Sequence, residues 1–268
     1  MRPKTDPLSV LCEGDPWRKA RAARAMHAAI CDGATVVTAA PPDRPSRPDR
    51  PRLVPARSLA KRKLGSEEGR AALLHAIAHI ELNAIDLAAD MIARFSRCEE
   101  VADRRGDFIR DWSSVCDDEA RHFVMVSDRL EQLGHSYGDF PAHGGLWDAA
   151  LKTRGDIAAR LSVAPLVLEA RGLDVTPGMI DKLVQAGDTE SADVLRVIYR
   201  EEIGHVATGM TWLRHVAAFR QLDCRDLFRG MVVEHYDGVI RPPLNHDARH
   251  EAGLELTYYN ELTLQPRI

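Results

Sequence analysis

The chain has little of what would set it apart from ordinary globular proteins. Aromatic residues make up 6% of its 268 positions, and there are five cysteines. Cys12, Cys31, Cys98, Cys116 and Cys224 are scattered with no C-x-x-C pair, which excludes a zinc ribbon or a redox dithiol and predicts reduced thiols. Neither sign of charge dominates: a net charge of −4 gives no global case for a polyanionic partner. Apolar runs are interrupted by charge before the roughly 18 residues of a membrane span, and the opening Met1-Arg-Pro-Lys-Thr-Asp lacks a signal-peptide hydrophobic region. A cytoplasmic protein with no membrane partner is expected. Period-two alternation is also missing over any strand-length stretch, so the expected class is all-α.

What is present is helical periodicity. Ser66-Glu-Glu offers an N-cap and an acidic first turn, and Leu73, Leu74, Ile77, Ile80, Ile85, Leu87 and Ile92 recur at helical spacing, predicting a first long helix over about 66–96. A second covers about 104–133, through Phe108, Trp112, Val115, Phe123, Val126 and Leu130, and stops at Gly134. A third is expected from about Leu146 to a break near Arg171-Gly172, with a short helical piece from Thr176-Pro-Gly to Gly187; a fourth covers about 188–216. Outside these, Pro16 opens an alanine-rich helix within residues 8–32, and another helix falls near 222–234. Six prolines and four arginines between Pro41 and Pro55 exclude a regular helix and predict an extended arm, either a linker or a strap. The expected organisation is an N-terminal helix and arm over 1–65, a helical bundle over 66–220, and a C-terminal helical extension packed on it over 221–268.

The chemistry lies in two Glu-x-x-His steps, Glu119-Ala-Arg-His122 and Glu202-Ile-Gly-His205, each preceded by a glutamate in an apolar helical stretch, Glu81 and Glu169. Residues three apart share a helix face, so each Glu and His can converge on one ion. One such pair is an incomplete shell. With Glu81 and Glu169 added, four carboxylates and two imidazoles suffice for two divalent ions, with bridging carboxylates and open positions for water or oxygen. The order Glu, Glu-x-x-His, Glu, Glu-x-x-His is that of a dinuclear site in a ferritin-like four-helix bundle, which makes Glu81, Glu119, His122, Glu169, Glu202 and His205 the expected metal ligands. That bundle needs a long crossover between helices two and three, and residues 134–145 reach about 40 Å if extended. Glu81 and Glu119 each lie about 15 residues from the first hairpin turn and so share a level. Glu169 lies beside the break expected at Gly172, which predicts an interrupted third helix next to the metals.

Longer motifs carry a family resemblance. Leu74-His-Ala-Ile-Ala-His-Ile-Glu-Leu-Asn-Ala-Ile-Asp-Leu-Ala88, Asp117-Asp-Glu-Ala-Arg-His-Phe123, Tyr137-Gly-Asp, Ala142-His-Gly-Gly-Leu-Trp-Asp148, Glu169-Ala-Arg-Gly-Leu-Asp174 and Pro242-Pro-Leu-Asn-His-Asp-Ala-Arg249 resemble a bacterial ferritin-like family known as domain of unknown function 455. The resemblance covers about residues 45–255 and implies the fold and the ligands rather than a reaction. A more distant likeness of fold is to the tRNA hydroxylases among ferritin-like enzymes.

Two metal ions are the expected cofactors, iron in its ferrous and ferric states, with manganese or a manganese–iron pair as alternatives. The leading expectation is an oxygen-activating oxidoreductase or hydroxylase that uses dioxygen or peroxide on an unknown small molecule or nucleotide, with an electron-donor protein as partner. Iron storage of the ferroxidase type is the second expectation; a loop-rich monomer or small homo-oligomer suits it poorly. A bundle with vestigial ligands is the third. No separate catalytic acid or base is assigned. Trp112 and Tyr199 share the ligand face and are expected to pack beside the site, while His75 and His79 are expected to be satisfied core histidines. Asp118 and Arg121 flank the first ligand pair and could support it by hydrogen bonds, with solvent or interhelix pairing as the favoured expectation. The stretch Arg44 to Lys63, with eight lysines or arginines, is expected to strap the bundle or stay solvated rather than bind RNA.

Overall fold

A computed structural model describes residues 6–36, 39–59 and 63–263. Residues 1–5, on which the expectation about a leader segment rests, lie outside the described residues, as do Lys61 and Arg62 of the basic stretch. The described regular structure is helical, and its one sheet-like pairing is a parallel bridge between Leu53 and Ala142. The short helix α1 (Leu8–Leu11) leads into α2 (Pro16–Cys31), where Asp15 accepts the Arg18 N–H and Pro16 fills a first-turn position that needs no donor.

Helix α3 (Glu67–Phe95) begins as its sequence predicts: Ser66 accepts the Gly69 N–H, and Glu67 and Glu68 complement the positive end of the helix dipole. Alanine, leucine and isoleucine occupy nearly every face, so the helix is buried on almost all sides. By length and composition it could cross a membrane, but most of that stretch is covered by the rest of the protein. Helix α4 (Arg105–Gln132) returns antiparallel to it and buries Phe108, Trp112, Phe123 and Val126, with α2 packed against it; Gly134, at φ 77°, ends the last turn.

The next connection corrects the expected start of the third helix. Gly145–Lys152 is a separate helix, α5, and the chain breaks at residues 153–156 before α6 (Ile157–Val163). Asp156 starts α6 by accepting the Ala158 and Ala159 N–H groups, while Arg160 reaches back to Thr153 Oγ1 and the Ala150 carbonyl and fixes the corner. Residues 133–156 therefore form the connection between α4 and α6. It climbs along α3, from His75, whose Nε2 accepts the Gly138 N–H, to Asp90, which Arg160 meets at 2.5 Å.

The chain then descends through α6, a π-helical stretch at Ala164–Glu169, and α7 (Ala170–Gln185). The break expected at Gly172 is not there. A Cβ at Gly172 would meet open space, so this glycine costs about 1 kcal/mol of propensity without ending the helix. Pro177 is also inside α7; it deprives the Leu173 carbonyl of its helical partner, and the Asn245 side-chain amide donates to that carbonyl instead, at 3.3 Å. The irregularity sits upstream at Pro165, which has no N–H for the Leu161 carbonyl, and the helix widens there. Gly187, at φ 79°, and the cap Asp188 turn the chain into α8 (Thr189–Phe219), which runs antiparallel to α7 and packs on α4. At Gly209 of α8 a Cβ would lie 2.7 Å from the Pro165 ring, so only glycine permits this close approach to the widened stretch.

Helix α9 (Cys224–His235) packs on α6, while α10 (His246–Glu251) and α11 (Leu256–Tyr259) close over α7, α8 and α9. The proline arm lies against the helices as a strap. Arg47 reaches Asn83 at 2.8 Å and Asp86 at 2.9 Å, Trp147 donates to the Asp43 carbonyl, and Val54 donates to the Ala142 carbonyl.

Candidate metal centre

Of the six side chains named from the sequence, five each stand within 3.6 Å of another member, and Glu169 lines the same cavity as the other three glutamates. Glu81 comes from α3, Glu119 and His122 from α4, Glu169 from the last π residue, and Glu202 and His205 from α8. Ligand atoms of Glu81, Glu119, His122 and Glu202 all lie within 4.8 Å of one another. His122 Nδ1 is 3.4 Å from Glu81 and 3.5 Å from Glu119; His205 Nδ1 is 3.1 Å from Glu119 and 3.6 Å from Glu202. Glu169 joins through its charge, which couples to Glu202 and Glu119.

Close as they are, the inward-facing atoms find no partner of hydrogen-bond geometry among the described residues. Glu81 Oε2, both Glu119 oxygens, Glu169 Oε2, Glu202 Oε2 and Nδ1 of both histidines are buried and unsatisfied. Leaving so many polar atoms unpaired is costly, and a cation at their centre would satisfy them together. Carboxylate oxygen with imidazole nitrogen is a donor set suited to iron, manganese or zinc. The residues present therefore fit a metal centre.

The far side of each imidazole is held. His122 Nε2 lies 2.6 Å from Glu201 Oε2, and His205 Nε2 lies 3.4 Å from Asp118 Oδ2. Each partner is the acidic residue immediately before a candidate ligand glutamate, and each crosses to the histidine of the other helix. Arg121 joins the two, contacting Asp118 at 2.5 Å and Glu201 at 3.0 Å. A carboxylate on Nε2 fixes the tautomer that leaves Nδ1 free to bind a metal. Arg121 pairs across to Glu201 as the sequence leads one to expect, while Asp118 stands behind the His205 ring, the supporting use ranked second from the sequence. Glu201 was not singled out there, although both motifs share an acid directly before Glu-x-x-His.

The proton balance shows the same deficit of positive charge. Burial, then the Glu119 charge, raises Glu81 well above the usual carboxylate range; burial and Glu202 raise Glu169, and burial and Glu119 raise Glu202. For Glu119 burial acts upward, but the adjacent His205 and His122 outweigh it and the net shift is downward. Burial opposes charge on His122, yet Glu119 and Glu81 carry it up to about 11; Glu202 and Glu119 likewise raise His205 well above its ordinary range. Without a cation the cluster holds protons in its place.

A cavity of about 180 Å³ opens onto the carboxylates, with Glu81, Glu119, Glu169 and Glu202 among its lining and mostly aliphatic side chains elsewhere. The histidines stand outside this lining. His75 and His79 engage the crossover instead: His75 accepts from Gly138, and His79 Nδ1 lies 2.8 Å from the Tyr137 hydroxyl. Burial, then Arg47, lowers His79 to about 3, so it is neutral. Trp112 packs on Phe108, and the Tyr199 hydroxyl accepts from Asn245.

Comparison with known proteins adds kinship without chemistry. Residues 12–260 match the family described as "Protein of unknown function (DUF455)". A Haemophilus influenzae relative, described as an uncharacterized protein, is 41% identical over 227 residues, covering 82% of this chain and 79% of that one. No solved structure matches the chain.

Proposed function

The chain belongs to the DUF455 family, and we propose that it is a ferritin-like dimetal protein, an oxygen-activating oxidoreductase acting on a small molecule. The observation that carries this reading is the convergence of buried, unpartnered glutamate oxygens and imidazole Nδ1 atoms from four helical segments. The fold supports it: two antiparallel hairpins, α3–α4 and α6/α7–α8, are joined by a connection running along α3, as a ferritin-like bundle requires. Bound at this centre, two iron ions, or manganese or a mixed pair, would supply Lewis-acid and redox chemistry toward dioxygen or peroxide.

The protein's own residues have distinct tasks. Glu81, Glu119, Glu169 and Glu202 would hold the ions as carboxylates, and Nδ1 of His122 and His205 would complete the set. Glu201 and Asp118 orient those rings. The aliphatic cavity limits water at the carboxylate face and suits an organic substrate better than hydrated ferrous ion, which favours an enzyme over iron storage. Arg44 and Arg47 of the arm are paired with Asp148 and Asp86, which leaves less positive charge for an RNA substrate. Five free cysteines suit a cytoplasmic location.

Metal analysis after anaerobic ferrous loading, followed by dioxygen exposure under optical and Mössbauer observation, tests the reading. Two irons per chain and an oxygen-dependent spectral change are expected. Glu119→Ala retaining full metal content and an unaltered spectrum would overturn the ligand assignment. A large closed shell on size-exclusion chromatography would favour storage.

A further inference from the structure

We infer that the substrate of this centre is an amphiphilic acid whose apolar body lies against the carboxylate face and whose anionic end meets Arg171. The inference rests on the dimetal reading for its chemistry, but its binding geometry stands on the cavities. The 180 Å³ cavity at the four glutamates shares Ile77, Ile80, Leu146, Leu168, Met179 and Arg171 with a larger neighbour of about 420 Å³. The two thus adjoin along one aliphatic wall that leads outward from the metal ligands. Along that shared wall a polar substrate would lose its water with little compensation, whereas an alkyl chain or ring gains from burial; the polar side chains His143 and Tyr236 line only the larger, outer cavity.

Among the described residues, Arg171 is the one lysine or arginine lining either cavity, and it lines both. It is also held in place. Its Nη1 donates to the carbonyls of Arg241 at 2.6 Å and Pro243 at 2.9 Å, so the C-terminal tail fixes the guanidinium at the cavity rim. Asp174 stands 3.6 Å away but is engaged by Arg249, which meets it at 2.7 Å. The Arg171 side chain is 40% exposed, leaving its remaining donors accessible to a ligand. The opposite end of the space is lined by Glu81, Glu119, Glu169 and Glu202 and, among the described residues, offers an anion no lysine or arginine. An acid therefore orients with its charged end at Arg171 and its apolar end toward the glutamates.

Calorimetric titration of decanoate and of decanol into the metal-stripped and the iron-loaded protein tests this. Decanoate should bind both forms more tightly than decanol, and each methylene added from hexanoate upward should tighten binding about fourfold while it still fits. Arg171→Gln should weaken decanoate about tenfold or more and leave decanol unchanged. Met179→Trp, which fills the shared wall, should weaken both ligands without altering metal content. Absence of binding to either form, equal affinity for acid and alcohol, or decanoate binding that needs metal and ignores Arg171→Gln would each overturn the inference; the last would place the acid on the metal. Metal content is measured separately on the same samples, so failure of the dimetal reading shows as an empty centre whatever the acid does.

Discussion

Helix α3 buries Glu81, Asp86 and Asp90 within three turns, and the protein treats them differently. Asp86 meets Lys19 at 2.5 Å and Arg47 at 2.9 Å; Asp90 meets Arg160 at 2.5 Å and Arg94 at 2.8 Å. Both are neutralised by cations that the chain supplies. Glu81, equally buried, faces Glu119 and His122, and among the described residues no lysine or arginine pairs with it. In the upper half of the helix lysine and arginine neutralise the acids, while in the lower half, among the described residues, only histidines face the gathered carboxylates. A chain able to place Lys19 and Arg160 in its interior could have placed another at Glu81. The deficit is therefore local to the centre, which is what a site for an external cation requires.

The largest test of this contrast removes an acid from each half. Asp90→Ala strands buried Arg160 and should cost about 3–5 kcal/mol in urea unfolding. Glu81→Gln in metal-stripped protein should change stability by less than about 1 kcal/mol, because burial and Glu119 already favour the neutral Glu81 carboxyl and the amide replaces it. Equal losses from the two would break the comparison. Metal comes next. At a hundredfold excess over its dissociation constant, ferrous ion should add about 2.7 kcal/mol, seen as a rise in melting temperature.

That rise should widen between about pH 5 and pH 8. Glu81, Glu169 and Glu202 have raised folded values, and so do His122, at about 11, and His205. The stripped folded protein thus holds more protons than the unfolded chain, an advantage present in acid and lost as pH rises, while metal displaces those protons. The lowered Glu119 opposes the trend without reversing it. A pH-independent difference would count against metal replacing protons.

Smaller still, Glu201→Gln should weaken metal binding about 10–100-fold in chelator competition without removing a ligand, with Asp118→Asn in the same direction. Unchanged affinities would show that the Nε2 contacts do not support the centre. Ser66→Ala, at the start of α3 and remote from both halves, should cost about 1 kcal/mol in thermal unfolding and leave metal affinity unaltered.

Much of this was legible because local signals agreed with the final packing. Ser66, Gly134 and Asp188 bound three long helices as their caps predict, and the Glu-x-x-His spacing brings its residues together. The third helix was misplaced at both ends for tertiary reasons. Gly172 and Pro177 resemble a break, but Gly172 has space around it and Asn245 satisfies the carbonyl that Pro177 leaves open. At the other end Gly155-Asp156 was a usable start signal, masked by the apolar pattern running on from Leu146. Glu201 had a signal too, in the acid that precedes both Glu-x-x-His steps. Its crossed partnership with His122 follows only from the packing of α4 on α8.

The contact from Asn245 to Leu173 also bears on how the molecule is made. Residue 245 is translated long after α7, so a nascent chain that ends before it has an unrepaired helix just beyond Glu169. Arg171 waits for the same segment, since its carbonyl partners are at 241 and 243. One flank of the centre is therefore finished only when residues 241–245 have left the ribosome. Removal of residues 241–245 acts on the interior through this late-arriving clasp.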